Sequence, residues 1–220
     1  MERTLRVTGT GKVSAKPDLV IVNLDFSNVL PTYEEALQAS MADVSLVKDA
    51  ISEAGVDKDL LKTTSFSVDT HYSSYRDEKG NYKSVFDGYE YHQSLRFKFD
   101  VDNALLGKVL YQLNAVRMNL IFRIGYGIKD EEKAKNELLG NAIADAKKKA
   151  EVISKAAGVE LDEIINIKYS WMDVEFRSRF YDMQPEKMMC KSSPGEAYDI
   201  DINPEDIEKS DNVTLVYRIR

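Results

Sequence analysis

Between residues 18 and 128 the hydrophobic period switches from two to 3.6 and back, and does so twice, which constrains the fold more than any other feature. Val20, Val22, Leu24 and Phe26 alternate onto one face of a first strand. Leu19 and Ile21 make its other face partly apolar, which predicts a central strand. Pro31 precedes Thr32-Tyr33-Glu34-Glu35, a capping box in which the Thr32 side chain accepts from the third helical N–H and Glu35 reaches back. The helix that follows places Leu37, Met41, Val44, Val47, Ile51 and Ala54 on one stripe, with Gly55 at its left-handed end. An alternating run through Phe66, Val68, Thr70 and Tyr72 leads to a turn at Asp77-Glu78-Lys79-Gly80-Asn81. The returning strand sets Tyr89, Tyr91, Leu95, Phe97 and Phe99 on one face, against Glu90, His92, Ser94, Arg96 and Lys98 on the other. Asp102 heads a second helix carrying Leu105, Leu106, Val109, Leu110 and Leu113, and a strand through Leu120, Phe122, Ile124 and Tyr126 closes the pattern. The order strand–helix–strand–strand–helix–strand is the split βαβ, ferredoxin-like arrangement, with two helices on one face of a four-stranded antiparallel sheet.

The rest of the chain adds elements to that core. Asp130, Glu131 and Glu132 favour a helix N-terminus, and a long third helix runs to Gly158 with Ala134, Leu138, Ala142, Ala146, Ala150 and Ile153 on its inward stripe. Strands are predicted near Ile164–Trp171 and at Val213–Ile219. Residues 174–210 are polar and Pro-interrupted, yet include Phe176, Phe180, Tyr181, Met183, Met188 and Met189. A connection of that length is functional, an assembly arm or disordered, and its apolar content predicts an arm that packs on something. The expectation is an α+β protein: an antiparallel sheet with a ferredoxin-like βαββαβ core, an N-terminal strand, a long third helix and two C-terminal strands. It forms a single domain over 1–220, with 174–210 as a long arm or flexible insertion.

Thirty basic side chains against 37 acidic ones give a formal charge of -7, which disfavours binding to a nucleic-acid backbone. Lys147-Lys148-Lys149 reads as a solvated helix face. A single Cys190 excludes an intramolecular disulfide and a Cys-based zinc site. The first residues lead directly into a strand without a basic and apolar leader, which predicts a cytoplasmic protein, or a periplasmic or extracytoplasmic one if a leader has been removed. No apolar run approaches the roughly 20 residues of a transmembrane helix.

Candidate chemistry is sparse. Gly9-Thr10-Gly11-Lys12 lacks the spacing of a Walker loop and is followed by a strand, so its glycines are expected to serve a bend or bulge. Gly125-Tyr126-Gly127 lacks the third glycine of a dinucleotide loop. His71 and His92 fall on paired strands, about five residues out of register, roughly 16 Å at the rise of a strand and too far to share a metal. Cys190 has no neighbouring histidine and no serine lies in a nucleophile elbow. No catalytic, cofactor-binding or metal-ligating residue is therefore predicted. Tyr72, Tyr75, Tyr82, Tyr89 and Tyr91 gather in and near one hairpin, where they either pack the sheet or form an interface or ligand-stacking wall.

Several segments in order resemble one family. They are Val7-Thr8-Gly9-Thr10-Gly11-Lys12-Val13 with Pro17-Asp18, Glu35-Ala36-Leu37, Gly55-Val56-Asp57 with Leu61-Lys62-Thr63, and Gly88-Tyr89. Leu106-Gly107-Lys108-Val109-Leu110, Ala142-Ile143-Ala144-Asp145-Ala146 and Ala156-Ala157-Gly158 continue the series. Together they resemble the SIMPL-domain family, which includes bacterial periplasmic immunogenic proteins and a eukaryotic adaptor of a pelle-like kinase. The chain departs from the family pattern in lacking an export signal and in reading Val116-Arg117-Met118-Asn119 where Gly-Ala-Asn is usual. The resemblance implies an α+β domain that assembles into symmetric oligomers in some bacterial members, with no catalytic residues to carry over. The expected function is that of a non-enzymatic, self-associating protein with a stress- or envelope-related role; its partner is itself and, in addition, an unidentified protein. The alternative is a module that binds a small ligand or protein through the Tyr-rich hairpin.

Overall fold

A computed structural model describes residues 3–77, 80–116, 118–169, 174–183 and 202–220. Glu78-Lys79 of the predicted turn, Arg117, Trp171, Met188, Met189 and Cys190 lie outside them. The elements are β1 (Thr4–Ala15), β2 (Leu19–Leu30), α1 (Tyr33–Ala54), β3 (Lys62–Arg76), β4 (Tyr82–Asp100) and α2 (Asn103–Ala115). They continue as β5 (Leu120–Gly127), α3 (Glu131–Ala157), β6 (Leu161–Tyr169), β7 (Tyr181–Met183) and β8 (Ile207–Ile219), with a 3-10 turn at Lys58–Leu60 before β3. The chain divides into two compact units, one of Leu19–Tyr126 with Arg179–Asn203, the other of Met1–Asp18, Gly127–Ser178 and Pro204–Arg220.

The first of these units contains the predicted core. Its sheet runs β3-β4-β2-β5-β7, so the four strands of the periodic region stand in ferredoxin-like order, and β2 is central as its two-sided apolar character required. The strand Tyr181–Met183 was not anticipated and pairs with β5 at the far edge. Val20, Val22, Leu24 and Phe26 of β2 meet Tyr91, Leu95, Phe97 and Phe99 of β4 and Leu120, Phe122, Ile124 and Tyr126 of β5 in one core. That layer is closed by Ala36, Val47, Ala50, Ile51 and Ala54 from α1 and Leu106, Val109, Leu110 and Leu113 from α2. The capping box forms as predicted, with Glu35 N–H to Thr32 Oγ1 and Thr32 N–H to Glu35 Oε2, both at 3.2 Å.

The stripe expected along α1 is corrected. Ala36, Ser40, Val47, Ala50, Ile51 and Ala54 are buried, while Met41 is 74% exposed and Leu37 and Val44 are only half-buried. In its first turns small Ala36 and Ser40 face the sheet, while Leu37, Met41 and Val44 fall to one side; Val47 and Ile51 stay in the core. Ser40 turns inward because Gln93, the one polar residue on the inner face of β4, accepts its hydroxyl at 3.2 Å.

The second unit is a three-stranded antiparallel sheet, β1-β8-β6, covered by α3. Ala142, Ala146 and Ala150 pack on Val7, Val213, Leu215 and Tyr217, while Ala134 and Leu138 join Val13, Ile128, Phe176 and Ile207. The small-residue stripe is as predicted except at its end, where Ser154 is buried and Ile153 exposed. The bend expected at Gly9–Gly11 is also corrected. β1 is one unbroken strand paired with β8 from Thr4↔Arg218 to Ala15↔Ile207. A Cβ on Gly9 would stand 2.1 Å from the Ala142 carbonyl oxygen, and one on Gly11 2.1 Å from that of Leu138. The two glycines therefore admit the α3 backbone to the strand surface.

Candidate functional site

The Gly-Thr-Gly-Lys segment is occupied by its own protein. Asp145 accepts the Thr10 N–H at 2.8 Å, Asn141 Nδ2 donates to the Lys12 carbonyl at 3.0 Å, and Lys149 Nζ donates to the Thr8 carbonyl at 3.3 Å. Thr8, Thr10 and Lys12 are alternate residues, so α3 side chains satisfy the edge of β1 that faces away from β8. The Lys149 ammonium and the Thr10 amide hold the Asp145 carboxyl below its ordinary range.

The histidines stay apart. His71 pairs with Gly88 and His92 with Ser67, four residues along β4 from one another. Each keeps its own carboxylate, His71 Nδ1 at 3.5 Å from Asp87 and His92 Nε2 at 3.4 Å from Glu90. On the same outer face of the sheet, Asp25 accepts from Ser94 at 2.6 Å and from Arg123 at 2.5 Å, and Arg96 donates to Asn23 at 2.7 Å. A hollow of about 220 Å³ is lined by Asp25, His92, Ser94 and Asn119, of which Asp25 and Ser94 already bond each other.

The tyrosines divide. Tyr91 is core: its ring meets Phe26 edge to face, and its hydroxyl donates to Asp43 of α1. Burial first, then that carboxylate, pushes its pKa well above the ordinary value. Tyr89 is half-buried and begins a chain of edge-to-face contacts, to Tyr33 at 5.8 Å and to Phe86 at 5.4 Å, with Phe86 on Tyr72 at 5.7 Å. Tyr72, Tyr75, Tyr82, Val85 and Phe86 are exposed. They belong to a part of the hairpin that leaves the sheet. β2 pairs with β4 only as far as Leu30↔Tyr89, so Tyr82–Gly88 has β3 as its neighbour and the hairpin continues as a two-stranded ribbon. Gly88 marks the departure, with φ 144° and space for a Cβ denied by the Leu30 carbonyl oxygen at 2.3 Å. Arg76 lies over the Tyr82 ring at 4.7 Å near the tip.

Beside this hairpin the side chains that α1 leaves out of the core open a cleft of about 500 Å³. Leu37, Met41, Val44 and Phe66 form its apolar wall, Ser40, Gln93 and Thr63 its floor, and Lys48 is its charged side chain. The signal for it was present in the sequence: the apolar stripe of α1 is wider than the face of Ala36, Ser40, Val47, Ala50, Ile51 and Ala54 that is buried. Along the cleft runs β3, the free edge of its sheet, with almost every residue exposed.

The SIMPL family model, described as "Protein of unknown function (DUF541)", matches residues 5–217. The 26 kDa periplasmic immunogenic proteins of Brucella melitensis and Brucella abortus are each 30% identical over 164 residues, 74% of this chain and 65% of theirs, so the match spans just under two-thirds of those relatives. A crystal structure of an uncharacterized conserved protein from Listeria innocua aligns with 96% of this chain and 92% of its own at 13% identity, but its TM-score of 0.19 carries no structural argument. With a family match from β1 to β8 and relatives at this identity, the chain belongs to the SIMPL family.

Proposed function

We propose that this protein works by association rather than catalysis, and that it associates with copies of itself through the β3–β4 hairpin. One observation carries the reading: a ribbon beyond the sheet leaves five large side chains exposed, Tyr72, Tyr82 and Phe86 on one face and Tyr75 with Val85 on the other. A two-stranded ribbon is marginal by itself in water, and aromatic side chains are enriched at interfaces. Light scattering on the purified chain is expected to give a multiple of the 25.0 kDa protomer. A protomer mass at tens of micromolar overturns the reading.

The cleft beside α1 supports a second use, as a module for an apolar ligand or a protein segment, because about 500 Å³ lined by Leu37, Met41, Val44 and Phe66 suits either. Tyr91 has no part in it, being buried. A protomer that takes up a hydrophobic dye in proportion to Met41 and loses it in Met41→Glu would favour that use. The name of the Brucella relatives supports a place outside the cytoplasm in an envelope-related role. Fractionation of the native host is expected to recover the protein with periplasmic markers, and recovery with cytosolic ones counts against it.

A further inference from the structure

Four strands end the two sheets, and three of them are defended. β1 is bonded along its free side by Asp145, Asn141 and Lys149 of α3. β6 is broken by register shifts between Leu161 and Ile164 and between Ile164 and Asn166, and β7 is three residues long. These are the usual devices that stop edge-to-edge pairing. Among the described residues β3 has none of these three over its middle, where Asp69 is the one carboxylate. It is 15 residues long, without proline, and exposed. Its register against β4 slips only between Thr63 and Ser65 and between His71 and Tyr72, which leaves Ser65–His71 as an unbroken run of paired backbone whose other edge has no strand beside it among the described residues.

We propose that β3 pairs antiparallel with β3 of a second copy across a two-fold axis at Val68, joining two five-stranded sheets into one. This rests on the self-association reading and names its surface. The bulges at both ends terminate regular pairing, so the overlap that uses the whole run is the one centred on it, and the centre of Ser65–His71 is Val68. In that register Phe66 faces Thr70 of the second copy and Ser65 faces its His71. Asp69 faces Ser67, which offers a hydroxyl, whereas a two-fold one residue further on would set Asp69 against its own copy.

The same register makes the surface complementary to itself. Tyr72 touches Phe86, which touches Tyr89, and Tyr89 meets Tyr33 of α1, so this aromatic chain lies on the α1 side of the sheet. Running antiparallel, the second copy carries its exposed Tyr72 past Phe66 toward the cleft of Met41, Val44 and Lys48. Each copy thus fills the apolar cleft of the other, as an isologous contact requires. The backbone bonds supply pairing and the cleft supplies specificity, the two parts of strand addition.

The test is a crosslink read by register. Cα partners in an antiparallel pair bring Cβ atoms to about 4.5–5.5 Å, and diagonal ones to about 7–8 Å. In a Cys190→Ser background, oxidised Val68→Cys is expected to run as a covalent dimer on a non-reducing gel. Ser67→Cys alone is expected to remain single, while Ser67→Cys mixed with Asp69→Cys crosslinks. The mixture carries the same test should Val68→Cys fail to fold. Met41→Glu and Tyr72→Ala, both at exposed positions, are expected to weaken association by about tenfold or more with unchanged circular dichroism. Absence of the Val68 and mixed crosslinks in a chain that light scattering finds oligomeric overturns the β3 pairing and leaves self-association standing. Protomers by both measurements remove both.

Discussion

At Gly9 a single methyl group is at stake, and the position shows how a residue can be read correctly by type and wrongly by role. Two glycines two apart in a strand share a face, and four residues separate Ala142 from Ala146 on the helix opposite. That pair of spacings announces a helix lying directly on a strand, yet taken alone Gly-Thr-Gly reads as a bend. Gly9→Ala would drive a Cβ into the Ala142 carbonyl and is expected to cost about 2 kcal/mol or more, as overpacking does. Gly140, on the same helix, has nothing within 4 Å of its virtual Cβ, so Gly140→Ala should instead stabilise by about 0.5–1 kcal/mol. Denaturant melts of the two variants check both signs; equal losses would mean that α3 does not rest on Gly9. Tyr91 gives a pH signature. Its pKa is raised in the folded state, so its contribution is complete below the ordinary tyrosine pKa of about 10 and is lost as pH climbs above it, where the unfolded chain releases the proton first. Tyr91→Phe should flatten the alkaline decline of stability by up to about 1.4 kcal/mol per pH unit. An identical slope in both proteins would place the titration elsewhere.

Elements were more legible than residues, for a physical reason. Period and capping are local: Thr32 and Glu35 sit three apart and alternation along β4 is visible in ten residues, so the start of α1 and the inner face of β4 follow from sequence. The ferredoxin-like order follows because strand–helix–strand units cross over on one face. What the sequence hides is how much of an amphipathic stripe finds a partner. Leu37, Met41 and Val44 look like core by spacing and line a cleft at its margin, because Ala36, Ser40, Val47 and Ile51 form the face that α1 buries. The far end of β3 likewise reads as ordinary strand, and only the termination of β2 at Leu30 turns it into a ribbon. Thr32→Ala removes the cap oxygen and is expected to lower stability by about 1 kcal/mol. Met41→Glu, on the exposed side of the same helix, should leave the thermal midpoint of the protomer nearly unchanged. A large loss for Met41→Glu would mean that the cleft side of α1 is core after all.

At the scale of the molecule the chain order conceals a division of labour. Strand β8 lies between β1 and β6, so the 13 residues Ile207–Ile219, near the end of a 220-residue chain, form the centre of the second sheet and the first strand is its edge. No local pattern reports this, since pairing across some 200 positions depends on which strands find no nearer neighbour. The core of the other unit is built from the middle of the chain. Its layer closes with β2, α1, β3, β4, α2 and β5, and the elements after β5 that join it precede Pro204. A chain ending at Asn203 therefore loses β8 and, with it, the pairing of β1 and β6 and the surface that buries Ala142, Ala146 and Ala150. Removing Val213, Leu215 and Tyr217 strips the packed face of α3, and a helix whose apolar stripe has no partner draws little stability from propensity alone. Hydrogen exchange on the truncated protein is expected to show amides of β1, α3 and β6 exchanging at unfolded rates, while those of β2, β4, α1 and α2 stay protected. Protection lost together in both sets would mean that the two units fold as one cooperative body; protection kept in α3 would mean that it is held by something other than the β1–β8 surface.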